Sequence, residues 1–248
     1  MTRFQNDVAI VTGAGSGIGQ ATVSRLASEG VAVLACDRDG AALDAVLSAG
    51  AGRVEAMAFD VTSRHGWNDA VASAVSAFGA LTILVNGAGI LRRDTIENVA
   101  LESWNEVLSV NITGTFLGCQ AAVPAMRKGR GAIVNISSVS GQRGDADLCA
   151  YDASKGAVRG FTRELAAYLA RRGDPVRCNA IFPGIIDTAM VRTFFADNPD
   201  AEPEWQAVNP IGRYGTADDV AALIAFLASS DASFCTGGEY NVDGGATA

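Results

Sequence analysis

Tyr151 and Lys155 stand four residues apart in the stretch AYDASKGAV, residues 150–158. On an α-helix, positions i and i+4 lie one above the other, so the phenol and the ammonium can address one point beside the helix. A free phenol titrates near ~10, and holding it as phenolate at neutral pH costs roughly 4 kcal/mol. A lysine ammonium about 4 Å away, at an effective dielectric near ~20, contributes a comparable amount. The spacing is therefore able to turn a tyrosine into a proton-transfer group. The alternative is a packing tyrosine beside a solvated lysine, and an isolated Y-x-x-x-K does not decide between the two.

Other residues bear on the decision. TGAGSGIG, residues 12–19, follows a β-branched run. Glycines at such a turn let the backbone approach a phosphate, and the next helix offers unpaired N–H groups at the positive end of its dipole. This turn brings Gly13, Ser16, Gly17, Ile18 and Gly19 to a candidate dinucleotide site, with the spacing G-x-x-x-G-x-G rather than G-x-G-x-x-G. The second apolar run ends at Asp37. A carboxylate about 20 residues past the glycines suits a ribose 2′-hydroxyl and would repel a 2′-phosphate, which favours NAD over NADP. Arg38 beside it tempers that preference, because a guanidinium can accommodate a phosphate. Ser138 follows the fifth apolar run in NISSVSG, and Asn111 lies in VNITG, where helix propensity prefers another residue. A buried amide at that place either mends a helix distortion or fixes a water.

These residues need elements to hold them. Strand-like runs at 8–12, 31–36, 53–59, 81–86, 131–137, 175–181 and 239–242 alternate with helical patterns at 17–29, 40–49, 64–78, 101–126, 151–172 and 216–228. Alternation of this kind gives βαβ units, and continuous apolar strands imply helices on both faces. The expected fold is α/β: a single-domain, Rossmann-type, doubly wound parallel sheet of about seven strands over residues 1–248. Asp60 and Val61, and Asn86, Ala88 and Gly89, then fall at carboxyl ends of strands, where open α/β sheets bind ligands. The irregular stretch 184–215 reads as a substrate lid, and its Phe194, Phe195 and Trp205 point to an apolar or ring-bearing substrate.

Composition excludes several classes. The net charge of -8 and a pI near 4.7 lack the basic footprint needed by a nucleic acid or an anionic membrane. No uninterrupted run of eighteen apolar residues and no leader-like start is present, which places the chain in the cytoplasm. Cys36, Cys119, Cys149, Cys178 and Cys235 are scattered, odd in number and without a C-x-x-C pair, so they read as small fillers. His65 is the sole histidine, which argues against a zinc site and against a serine-histidine-acid triad.

TGAGSGIG, VNGAG, Asn111, Ser138, Y-D-A-S-K and FPGIIDT, in this order up to the closing VDGG, resemble the short-chain dehydrogenase/reductase family over essentially the whole chain. The resemblance implies that Tyr151 is the general acid/base. It implies that Lys155 holds the nicotinamide ribose and lowers the tyrosine pKa, and that Ser138 hydrogen-bonds the substrate oxygen. Asn111 would support a water relay to Lys155. By the same resemblance Pro183, Gly184, Ile186 and Thr188 flank the nicotinamide, Asp60 and Val61 the adenine, and Asn86, Ala88 and Gly89 the ribose. Arg143, Asp145, Asp147 and Leu148 would line the substrate entrance, and a homotetramer would form through the helices at 101–126 and 151–172. Gly87 departs from the family, which usually has a second asparagine there.

The reading is an NAD-dependent oxidoreductase that interconverts a secondary alcohol and a ketone. Reduction of a 3-oxoacyl group on a carrier protein is the rival within the same chemistry, and the charge of -8 disfavours an acidic carrier. A non-catalytic dinucleotide sensor would have no use for the Tyr151 and Ser138 hydroxyls. A serine hydrolase lacks a G-x-S-x-G elbow.

Overall fold

In chain order the elements are β1 (Val8–Thr12), α1 (Gly17–Ser28), β2 (Ala32–Asp37), α2 (Gly40–Ser48), β3 (Val54–Ala58), α3 (Arg64–Phe78), β4 (Ile83–Asn86), α4 (Leu101–Leu108), α5 (Gly114–Met126), β5 (Gly131–Ile136), α6 (Cys149–Arg172), β6 (Val176–Pro183), α7 (Ala189–Asp197), α8 (Glu202–Ala207), α9 (Ala217–Ala228) and β7 (Glu239–Val242). They come from a computed structural model that describes residues 3–48, 52–127, 129–207 and 209–248. Ala49, the last residue of the expected second helix, and Val208 of the expected lid lie outside the described residues.

The strands form one parallel sheet in the order β3-β2-β1-β4-β5-β6-β7. Val11 pairs with Ala35 on one side and Val85 on the other. Because side chains alternate along a strand, Ala9 and Val11 face one layer while Val8 and Ile10 face the other. The first layer packs on α1 and α9 through Val23, Leu26, Ile224 and Leu227. The second packs on α3, α5 and α6 through Trp67, Leu117, Met126 and Leu165. Both faces are covered, as the unbroken apolar runs imply.

The chain leaves β1 toward β2 and later crosses back to β4 on the other side, so the direction of winding reverses between β1 and β4. A crevice opens at that switch, beyond the carboxyl ends of the strands.

The expected helix over 101–126 is interrupted. Ser109–Thr113 form a π turn between α4 and α5, and Asn111 sits in it, buried. Thus the out-of-place amide marks a distortion, as π turns do at many functional sites. Leu101–Met126 is long and apolar enough to cross a membrane by composition, but half of its most apolar window is buried inside the fold. α6 starts at Cys149, two residues earlier than expected, which places Tyr151 in its first turn. In the 184–215 stretch α7 and α8 fold onto a separate small cluster of Leu148, Phe194, Phe195 and Ala201.

Candidate active site

The crevice at the switch point has a volume of about 360 Å³. Its floor is the turn from β1 to α1. Gly13 has φ +68, where L side chains are strained, and a Cβ there would meet the Gly87 and Ala88 backbone at 2.9 Å. A Cβ on Gly19 would collide with the Gly13 carbonyl. α1 therefore starts close against the sheet. Ser16 is its N-cap, with no side-chain hydrogen bond closing the end and no acidic residue in the first turn. An open helix N-terminus suits an anionic group.

Of the residues expected at a dinucleotide, Gly13, Ser16, Gly17, Ile18, Gly19, Asp37, Asp60, Val61, Ala88, Gly89 and Thr188 line this crevice. Asp37 ends β2 and accepts the Gly15 N–H at 3.0 Å and the Asp39 N–H at 3.1 Å. Hydrogen bonds from the Thr62 backbone at 2.8 Å and hydroxyl at 2.7 Å hold the Asp60 carboxyl below its ordinary range. A cradle shaped by absent side chains, an uncapped helix end and a carboxylate at the end of β2 fit a dinucleotide.

A second cavity, of about 220 Å³, adjoins it, and Met190 lines both. Its polar end holds Ser138 and Tyr151, with Gly184 beside them. Leu91, Val139, Ile185, Val191 and Trp205 make an apolar wall, and Ser140, Arg143 and Asp145 complete the lining. Ser138 Oγ accepts the Ser140 N–H at 3.2 Å, leaving the hydroxyl proton free for another oxygen. Burial pushes the Tyr151 phenol up to about 12, the Ser138 hydroxyl pulls it partly back, and the Asp152 charge raises it further.

Lys155 is buried one turn further along α6. Its Nζ donates to the Ile136 carbonyl at 2.9 Å and lies 5.6 Å from the centre of the Tyr151 ring. Burial lowers its pKa to about 8. The expected fall of the tyrosine pKa is therefore not a property of the protein alone. Loss of hydration dominates both groups and pushes each toward its neutral form.

Asn111 holds the site together. Its Oδ1 accepts the Ile90 N–H at 2.8 Å, and its Nδ2 donates to the Ile90 carbonyl at 3.0 Å and the Ser154 hydroxyl at 2.9 Å. It thereby fixes the loop after β4 to α6. A Cβ on Gly89 would lie 3.3 Å from Asn111 Oδ1 and 3.5 Å from Lys155 Nζ, so the crevice and the lysine meet at that glycine.

Some expected residues sit elsewhere. The Asn86 side chain turns inward and donates to Asn135 on β5 at 2.8 Å, outside the lining of the crevice. Pro183 ends β6 in the core, and Ile186 is buried beneath the following loop. Leu148 does not line the substrate cavity but packs behind it, 2 % exposed, under Phe194 and Phe195. Those two phenylalanines are buried as well, so of Phe194, Phe195 and Trp205 only Trp205 faces the cavity. Asp147 pairs with Arg93 instead of facing the cavity. Met190, Leu91, Ile185 and Val191 line the cavity unforeseen, and no local pattern marks them. At Gly87 a Cβ would stand 2.6 Å from the Thr12 carbonyl, so β1 and the loop after β4 pack closer than an asparagine there allows.

His65 is exposed on α3, paired with Asp69 at 3.2 Å, and lines neither cavity. A serine-histidine pair with Ser138 is thereby ruled out. Among the described residues no group of three His, Cys, Asp or Glu side chains is placed to hold a metal.

A family model described as enoyl-(acyl carrier protein) reductase matches residues 13–247. The chain belongs to the short-chain dehydrogenase/reductase family. Over 250 residues it is 40% identical to a 3-alpha-(or 20-beta)-hydroxysteroid dehydrogenase of Mycobacterium tuberculosis, covering 99% of this chain and 91% of that one. It is 39% identical over 251 residues to a cyclohexanol dehydrogenase of an Acinetobacter species, covering 99% and 96%. The crystal structure of levodione reductase superposes with a TM-score of 0.91 at 35% identity, covering 98% of each chain. Short-chain dehydrogenases/reductases bind NAD(P), and this chain is an oxidoreductase of alcohols and ketones.

Proposed function

We propose that the protein is an NAD-dependent dehydrogenase of compact secondary alcohols, or a reductase of the matching ketones, with Tyr151 as general acid/base. One observation carries this reading. Tyr151 and Ser138 line one cavity, and Met190 lines both that cavity and the glycine-lined crevice. Gly13, Ser16, Gly17, Ile18 and Gly19 would hold the pyrophosphate, Asp37 the adenosine ribose, and Lys155 with Tyr151 the nicotinamide ribose. The nicotinamide, when bound, supplies or accepts a hydride.

The protein's own part is proton and charge handling. With its phenol near 12, Tyr151 carries its proton at neutral pH and can give it to a forming alkoxide. Ser138 offers a second donor to the same oxygen, and two aimed donors stabilise the charge that develops there. The lowered pKa of Lys155 lets its ammonium pass a proton on close to neutral pH. The apolar wall excludes water and orients the reacting carbon.

The cavity of about 220 Å³ and its Trp205 wall support a ring-sized substrate. The relatives named for cyclohexanol and levodione support the same class. Asp37 in the crevice supports NAD, since a 2′-phosphate would meet its carboxylate. The domain reading is one dinucleotide-binding and catalytic unit with a lid at 184–215. Assembly as a homotetramer in the cytoplasm completes the proposal, supported by half-exposed Phe116 and Tyr168 on α5 and α6.

The test is nicotinamide absorbance with NAD and NADP side by side over cyclic alcohols, linear alcohols, small polyols and a 3-hydroxyacyl thioester. Turnover of cyclic or other apolar secondary alcohols with NAD is expected. A strong preference for polyols or for the thioester overturns the substrate class, and no turnover on any of them overturns the enzyme reading.

A further inference from the structure

Asp152 follows Tyr151 in the first turn of α6, yet it does not behave as a solvated helix carboxylate. Its Oδ2 accepts the Asp145 N–H at 2.6 Å, and its Oδ1 is buried with no hydrogen-bond partner among the described residues. Asp145 and Ser140 both line the substrate cavity. The Ser140 N–H in turn holds Ser138 Oγ at 3.2 Å. A second carboxyl closes the arrangement from the other side: Asp94, only 5% exposed, accepts the Ala150 N–H at 3.0 Å, and its Oδ2 likewise has no partner among the described residues.

A carboxyl on an exposed helix turn needs none of this. An unpaired buried oxygen opposes folding, so two of them beside the catalytic helix mark a place where local stability yields to another requirement. We propose that Asp152 is a positioning residue for the reaction. Its carboxyl ties the cavity wall at Asp145 to the helix that presents Tyr151, and that wall, which carries Ser140, sets the Ser138 hydroxyl against the substrate oxygen. This rests on the reading of Ser138 and Tyr151 as the pair that faces substrate. Burial, with the Asp145 and Asp94 charges nearby, raises the Asp152 pKa to about 6. At pH 7 most of the group is still ionised, and asparagine keeps what the clamp needs: its amide oxygen still accepts the Asp145 N–H.

The test compares wild type, Asp152→Ala and Asp152→Asn in the full-length protein. Three quantities are read: KM and kcat on the best alcohol of the panel, the dinucleotide Kd, and hydrogen exchange of the amides over 139–148. Misplacing a reacting group by about 1 Å can cost roughly 100-fold, so Asp152→Ala is expected to lose about 10- to 100-fold in kcat/KM. Its dinucleotide Kd stays within about twofold, because the crevice is not touched. Its 139–148 amides exchange faster. Asp152→Asn returns both exchange and kcat/KM to near wild type. The proposal is overturned if Asp152→Ala keeps wild-type kcat/KM and exchange, if it loses dinucleotide binding equally, or if asparagine is as damaging as alanine. Should wild type turn over no alcohol, the proposed function fails, and hydrogen exchange in the two variants still decides whether the clamp exists.

Discussion

The Lys155 ammonium sits 2.9 Å from the Ile136 carbonyl oxygen and 5.6 Å from the centre of the Tyr151 ring. The end of β5 therefore anchors it, and no carboxylate pairs with it among the described residues. Burial lowers its pKa from 10.5 to about 8. An unfolded lysine binds its proton more tightly, so below about 8 the buried charge opposes folding in full, and that cost fades as pH rises toward the unfolded value. Lys155→Met removes roughly 3 kcal/mol of this cost at pH 7, less about 1–2 for the orphaned Ile136 carbonyl. The variant is expected to melt higher than wild type at pH 7, with the gap closing by pH 10, while turnover drops at least ~100-fold. Thermal melts at the two pH values check it; an unchanged gap contradicts the assignment.

Tyr151→Phe keeps the ring in its packing and removes the hydroxyl. Loss of a general acid/base costs about 10²–10⁴ in rate, and the dinucleotide Kd should stay within about twofold. The wild-type phenol near 12 gives a further signature. Oxidation needs the deprotonated form, so its rate should climb steadily between about pH 6 and 10, whereas ketone reduction, served by the protonated form, should not rise. Initial rates in both directions decide this, and a rising reduction rate would contradict it.

The glycine turn, the strand positions around it and the Tyr151–Lys155 pair were legible because each is a local pattern: glycine spacing, β-branched runs, and i,i+4 on one helix. Side-chain direction was not. Asn86 ends an apolar strand in either case, and the inward turn of its amide depends on Asn135 on the neighbouring strand and on Cys119. Leu148 and Phe194 look alike in sequence to Leu91 and Val191, but packing of the lid decides which pair faces the cavity. Asn111 did signal a helix distortion, since an amide in an apolar helix needs partners, though its partner Ile90 is distant in sequence. The net pKa of Tyr151 was not legible, because burial raises it whatever the spacing to Lys155, and spacing does not reveal burial.

Asp37 offers a separable test of cofactor choice. Its carboxylate faces the crevice, with Arg38 alongside. Asp37→Ser removes the repulsion toward a 2′-phosphate and leaves Arg38 to pair with it. NAD affinity should fall about tenfold, the equivalent of ~1.4 kcal/mol, and NADP affinity should rise by a similar factor. Because Asp37 also accepts the Gly15 and Asp39 N–H groups, loss of these bonds deepens the fall for NAD and trims the gain for NADP. Fluorescence titration with each dinucleotide measures the ratio. A variant that loses both equally shows that Asp37 only braces the turn.

Arg93 joins three segments. Its guanidinium donates to Asp147 at 2.6 and 3.0 Å, to Asp200 at 2.9 Å and to Asn198 at 3.4 Å. Asp147 precedes the catalytic helix, whereas Asn198 and Asp200 lie between α7 and α8, in the stretch that carries Trp205 to the cavity. The apolar cluster beneath closes the same contact from inside, through Leu148 against Phe194 and Phe195. An exposed ion pair adds little to global stability, so Arg93→Gln should leave the melting temperature nearly unchanged. Its effect should fall on the lid: KM for the alcohol rises about three- to tenfold, and proteolysis between α7 and α8 speeds up, because local opening there costs less free energy. Added salt should raise the wild-type KM toward that of the variant and leave the variant unmoved, since screening weakens the same pairs. A salt response of equal size in both proteins would show that these pairs do not hold the lid.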